Sequence, residues 1–153
     1  MDPLMFKMPL DTCIEICHTK DVGLALANTV ENDKIWGKIM HIAGGEKRRI
    51  PYKEYIDRIM EIFGLGKDFL LDEAFSKDNF HCGFMTTEES QKLLNYQRHT
   101  LDDYFNEMKE RVIFKRYFMR TFKPIIRIYL LRKSPYYKEF LKKKKTDGGR
   151  YYK

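Results

Sequence analysis

The chain predicts an α/β fold of α+β character, with a few short strands, several helices and a basic helical tail. Three stretches carry that prediction. Residues 38–43 (KIMHIA) form a short apolar run between Gly37 and Gly44-Gly45, the pattern of a buried strand. Residues 12–17 (TCIEIC) place Ile14 and Ile16 on one face of a second strand. After Pro51, the residues Tyr52, Tyr55, Ile56, Ile59, Met60 and Phe63 recur at helical spacing and make one apolar stripe.

The other elements rest on local chemistry. Pro3 and Pro9 oppose regular structure in residues 1–11, where Met5, Phe6 and Met8 are expected to pack on the body. Asp21 suits the positive end of a helix running to Glu31, with Ala25, Leu26 and Val30 buried. Pro51 is expected as a first helical residue, where its missing amide hydrogen has no partner to lose. Glu54 and Arg58 would pair across one turn, and Gly64 would end that helix in the left-handed conformation. Phe69, Leu70, Leu71, Ala74 and Phe75 suggest a helical turn, and residues 79–84 a packed loop. Residues 88–94 read as a short helix capped by Thr86 or Thr87. A longer helix is expected after Thr100, with Asp102 and Asp103 in its first turn. Its stripe is Leu101, Tyr104, Phe105, Met108 and Val112. Pro124 should break or kink the next helix, and Pro135 should end the helical segment after that break. Residues 146–153 are expected to be disordered.

With 153 residues and 43% apolar composition the chain can bury a core of its own. No run reaches the ~18 apolar residues of a membrane span, and the start, MDPLMFKMPLD, is too short and acidic for a secretory signal. Cysteines at 13, 17 and 82 make no paired disulfide framework, so the expected setting is a reducing cytoplasm. Charge is strongly asymmetric. Residues 1–110 hold 14 Lys/Arg against 20 Asp/Glu, whereas residues 111–153 hold 15 against 2. The expected organisation is therefore an acidic body, 1–110, and a basic, aromatic-rich helical tail, 111–153, with a disordered end.

Three stretches in register resemble a known family. Gly44-Gly45-Glu46 follows an apolar strand-like run and leads through a short loop into a helix. Ile16-Cys17-His18-Thr19-Lys20-Asp21-Val22 is similar to a strand-to-helix segment built around a histidine and an aspartate. Residues 90–101 (SQKLLNYQRHTL) are similar to a late helix and the turn into the next one. Together they resemble the C-terminal portion of the NAD-dependent epimerase/dehydratase family, the extended short-chain dehydrogenases, over roughly residues 11–110. The resemblance implies a partial dehydrogenase fold, nucleotide-sugar substrates and NAD(P) as the family's cofactor. It also implies that the nucleotide-binding half is absent, so this chain alone is expected to bind no cofactor and to catalyse nothing. Two positions depart from the pattern: Ile14 stands where the family often has arginine, and Lys20 replaces its first aspartate.

The chemistry-bearing residues are read against that background. A dinucleotide cradle needs glycines at a strand-to-helix turn. Gly44-Gly45 precedes a basic loop and Gly64-x-Gly66 ends a helix, so both read as turns. Tyr129 and Lys133 have the family's catalytic spacing, but among 10 tyrosines that spacing is expected by chance, and no catalytic residue is assigned. Cys13, Cys17, His18, His81 and Cys82 lack the paired spacing of a zinc site, and no metal is assigned. Lys47, Arg48 and Arg49 are the candidate substrate-binding loop. In the tail, Arg116, Phe118, Phe122, Arg127 and Lys142, Lys143, Lys144 and Lys145 are the candidate contacts to an anionic membrane surface or an acidic partner. A separate nucleotide-binding chain or a second copy of this chain is the other expected partner, with Ile14, Ile16, Ile39 and Ile42 on the uncovered face. Nucleic acid ranks below these, since no nucleic-acid motif is present.

Overall fold

The computed structural model describes residues 3–148. The described chain runs β1 (Cys13–Glu15), α1 (Thr19–Val30), β2 (Arg49–Pro51), α2 (Tyr52–Ile62), α3 (Glu88–Leu94), α4 (Leu101–Arg111), α5 (Ile113–Thr121), α6 (Lys123–Lys133) and α7 (Pro135–Gly148). The balance is more helical than expected: seven α-helices among the described residues against one two-stranded antiparallel sheet, with Ile14 opposite Ile50. The chain divides into two compact units, which interleave along the sequence.

The first unit comprises Met1–Thr12, Tyr52–His81 and Val112–Lys153. Its centre is the stripe of α2, where Tyr52, Ile56, Ile59 and Met60 are buried as the spacing predicts. The Tyr52 amide donates to Thr12 O at 2.8 Å and its hydroxyl to Met5 O at 3.0 Å, which ties the lead-in to the helix. Burial pushes the Tyr52 phenol up to about 12. Phe6, only 1% exposed, packs on Phe75 with ring centroids 5.3 Å apart. Pro51 lies one residue earlier than expected, as the last residue of β2. Gly64 does end the helix, with φ +79°, and Leu65 and Gly66 both donate to Met60 O. The tail breaks at both prolines: α6 has Pro124 in its first turn and α7 begins on Pro135. Proline stops one helix and starts another, because its fixed φ suits a first turn and its missing N–H does not suit an interior. Ser134 is fully buried between α6 and α7 and its hydroxyl donates to Ala74 O at 2.5 Å. Helix α7 continues through Gly148, so the disordered end does not begin at residue 146. Residues 149–153, also expected to be disordered, lie outside the described residues.

The second unit comprises Cys13–Pro51 and Cys82–Arg111. Its core is Ala25, Leu94 and Tyr96, with Leu24, Ile35, Met40, Ile42 and Leu93 packed against it. Asn28 and Asn32 donate to the carbonyls of Leu94 and Leu93, which joins α1 to the end of α3. Leu26 and Val30, expected inside, are 62% and 77% exposed, because α1 turns its other side, at Asp21 and Ala25, inward. Residues 79–84 are an exposed loop instead of a packed one. Helix α4 starts as predicted, the Thr100 hydroxyl accepting from the Asp103 amide; the structure adds the return bond, in which the Asp103 carboxylate accepts from the Thr100 amide. Those bonds hold the Asp103 carboxyl below the usual carboxylate range.

Residues 38–43 do not form a strand. Their side chains still alternate: Met40 and Ile42 turn toward the core, while Ile39, at 97% exposure, and His41 turn out. What is missing is a ladder. Among the described residues, the amides of Ile39, Met40, His41 and Ile42 donate no backbone hydrogen bond, and β1, the nearest strand in sequence, pairs with β2 instead. Hydrophobic pattern selects a strand's faces, but only a hydrogen-bonded neighbour makes the strand. Ile14 and Ile16 are half-buried, so only Ile39 of the four expected face residues is fully open.

Two glycine substitutions separate backbone strain from helix propensity. A Cβ on Gly64 would meet Arg116 Cγ at 2.9 Å on a left-handed backbone, so Gly64→Ala should destabilise the protein by about 1–2 kcal/mol or more. Gly23, inside α1 with no atom within 4 Å of an added Cβ, should gain up to about 1 kcal/mol as Gly23→Ala. Urea unfolding of the two variants checks the opposite signs.

Candidate functional site

The densest polar chemistry lies in the second unit, around Asp21. Its carboxylate is 1% exposed, so it must be paired to remain charged. It accepts from the amides of Arg98 at 3.1 Å and His99 at 3.2 Å, and lies 2.5 Å from His99 Nδ1 and 3.6 Å from Arg48 Nη2. The sequence places Asp21 at the helix start to meet that helix's own amides. It sits in the first turn of α1, but its oxygens serve a segment 77 and 78 residues further on.

His18 holds the corner before α1. Its Nδ1 accepts from the Lys20 amide at 3.2 Å, capping the helix, so Nε2 carries the hydrogen of the neutral ring. That Nε2 lies 3.5 Å from Glu107 Oε1. The rings of His18 and His99 stack with centroids 4.3 Å apart. Lys20 Nζ reaches Glu107 at 2.6 Å and, by donating to it, holds the Glu107 carboxyl below its ordinary range. An aspartate beside an imidazole is the orienting part of a general base. Among the described residues, no serine, threonine or cysteine hydroxyl or thiol bonds to either ring. Burial, with Asp21 nearby, pushes the Cys17 thiol up, away from the thiolate a nucleophile requires. The cluster ties the start of α1 to the 98–99 backbone and to α4.

The candidate loop divides three ways. Arg48 is buried: Nη1 donates to Gly44 O at 2.7 Å, Nε donates to His99 O, and Nη2 faces Asp21. Arg49 is held by Glu15 at 3.0 Å and lies over the Phe84 ring, 4.0 Å from its centroid. Lys47 is exposed at the rim of an open cleft of about 530 Å³, where Arg98, Gln91, Gln97 and Glu88 also stand. Gly45 lines the cleft, with Gly44 just before it. A Cβ on Gly44 would overlap Ile16 O at 2.1 Å, and the Gly45 amide donates to Glu15 at 2.9 Å. The Gly45 amide of this turn therefore serves the fold. Tyr96 closes it from behind, its hydroxyl accepting from the Ala43 amide and donating to the Ala43 carbonyl.

In the tail, exposure is the main finding. Phe114, Tyr117, Phe118 and Ile125 are 91%, 73%, 64% and 63% exposed. Phe118 and Phe122 touch, with centroids 4.5 Å apart. Arg116 lines a second cleft, in the first unit, and Lys142–145 lie exposed along α7. Arg127 is half-buried, and its Nε is shielded from solvent with no acceptor among the described residues. Lys133 Nζ sits 4.8 Å above the Tyr129 ring, a cation–π contact between residues whose spacing imitates a catalytic pair. Among the described residues, no group of three or more His, Cys, Asp or Glu is arranged to hold a metal ion, and no helix is long and apolar enough to cross a membrane. Reading by sequence missed Arg98 and His99 as partners of Asp21. It also missed Arg120 and Lys123, although Arg116 and Arg120 at i,i+4 were a signal for a shared helix face.

Removing the Asp21 carboxylate should leave Arg48 buried without its counter-charge. Asp21→Ala is expected to lose about 3–5 kcal/mol, measured by urea unfolding. Asp103→Asn, at an exposed cap, should cost far less. Comparisons of this chain with protein-family models, with curated proteins and with solved structures find no match.

Proposed function

We propose that this chain is the substrate-side part of an NAD-dependent epimerase/dehydratase-like protein, inactive alone and completed by a nucleotide-binding partner. One observation carries the reading. Residues 38–43 hold strand-like alternation with Ile39 97% exposed, four amides free of backbone bonds among the described residues, and a glycine turn after them. An unladdered apolar segment of this kind is a template for another chain's strand. The cleft beside Lys47 and Arg98 is then the substrate-side wall, with Arg48 behind it as support. The cofactor, NAD(P), would be held by the partner, and a second copy of this chain is the substitute occupant of the edge.

Two measurements test the reading. Calorimetry of the chain alone with NAD(H) or NADP(H) should give no saturable heat, and a single micromolar site per chain overturns it. Sedimentation should show concentration-dependent association that Ile39→Lys weakens. A monodisperse monomer at every concentration, with a variant that behaves identically, counts against the open edge.

A second reading is supported by the tail's exposed aromatics. Phe114, Tyr117, Phe118 and Ile125 alternate with Lys115, Arg116, Arg120 and Lys123, a pattern that suits an anionic membrane surface. Each cation near such a surface contributes about 1 kcal/mol, screened by salt. Truncation is a poor test, since Leu130, Leu131 and Ser134 are buried in the first unit. Phe114→Ser with Phe118→Ser removes only exposed rings. It should leave the melting curve in place and weaken co-sedimentation with anionic vesicles at all salt concentrations. Wild-type protein that ignores such vesicles at low salt sinks the membrane reading.

A further inference from the structure

The first unit contains an open cleft of about 560 Å³ where the Gly64-Leu65-Gly66 turn faces α5 and the start of α6. Its charged lining is Arg116, Arg120, Lys123 and Glu61, an excess of two positive charges. Among the described residues, none of the three cations lies within ion-pair distance of a carboxylate. Like charges at i,i+4 on a helix repel, as Arg116 and Arg120 do here. Elsewhere in this unit the fold does supply counter-charges: Lys53 alone meets Asp57, Asp68 and Asp72. The cleft therefore gathers three cations that have no carboxylate partner among the described residues, the Lys123 ammonium lying 5.8 Å from the Phe69 ring centroid.

The glycines explain how the cations come so close to the turn. With no side chain at Gly64, Arg116 packs its stem against the backbone; an added Cβ would meet Cγ at 2.9 Å and the Arg116 carbonyl at 3.2 Å. At Gly66 the same Cβ would stand 3.4 Å from Lys123 Nζ. The stems of Arg116 and Arg120 and the Lys123 ammonium thus come from two helices to one backbone turn, with both arginines and Tyr117 lining the cleft.

We propose that this cleft seats a phosphate monoester. Such a group carries about −1.5 to −2 charge at pH 7 and several acceptor oxygens, matching the charge excess and the Arg forks. It comes either on a lipid headgroup or on a soluble molecule. Phe114 and Phe118, exposed on the helix that carries both arginines, favour the headgroup. The proposal deepens the membrane-surface reading and is independent of the dehydrogenase one.

The test uses the full chain with three probes. These are phosphatidylcholine vesicles containing a phosphatidylinositol monophosphate, vesicles of equal surface charge made with phosphatidylserine, and soluble inositol trisphosphate. Wild-type protein should prefer the monophosphate vesicles about tenfold at matched charge. Arg116→Gln with Arg120→Gln should erase that preference, while Lys142→Gln with Lys144→Gln should weaken binding to both vesicles equally. Saturable inositol trisphosphate binding without a vesicle preference also upholds the seat, with a soluble source. Equal binding to both vesicles and no heat with inositol trisphosphate overturns the seat but leaves the membrane reading standing. Binding to none of the three overturns both. Unchanged melting temperatures in the four-residue set make any loss a loss of binding; a variant that fails to fold is replaced by Lys123→Gln, whose side chain is exposed.

Discussion

A charge buried near the start of a helix sets the terms for the second unit. Asp21 is almost fully enclosed, and an enclosed carboxylate is tolerable only when its oxygens are occupied. Meeting that demand fixes three things at once. The 98–99 backbone must lie against α1, the His99 ring must present Nδ1, and Arg48 must point inward from the loop before β2. Arg48 in turn ties down Gly44 O and His99 O, so the basic loop becomes part of the scaffold. An arginine that would be free to recognise a substrate on the sequence's terms is committed to a buried aspartate on the structure's.

The same unit leaves its apolar segment half used. Met40 and Ile42 cover the core, Tyr96 grips Ala43 on both its backbone groups, and Ser90 donates to His41 O at 2.7 Å. These anchors hold residues 38–43 from one side only. The outer side, with Ile39, has no neighbour to share hydrogen bonds among the described residues.

In the first unit the division is between what the tail buries and what it shows. Leu130, Leu131 and Ser134 are interior, and the Ser134 hydroxyl reaches the 72–74 turn through Ala74 O. Most of the aromatic and basic residues of α5 face solvent. Ordinary packing would bury the rings and disperse the cations. Instead the rings stay out, and three cations line a cleft beside a glycine turn.

Short-range chemistry was legible in the sequence. The stripe and glycine stop of α2, the Thr100 cap of α4 and the proline breaks in the tail all depend on residues within a turn or two of one another. The acidic body and basic tail were equally plain, because charge is counted without geometry. Whether 38–43 is a strand could not be read from its own residues, because a ladder needs a neighbour and β1 pairs with β2. Nor could the fates of Arg48, Arg98 and His99, which depend on a carboxylate far away in the chain. Sequence by itself determined the local elements and the charge. Tertiary structure decided which polar groups are used up inside and which remain available, because burial and pairing are set by distance in space, not along the chain.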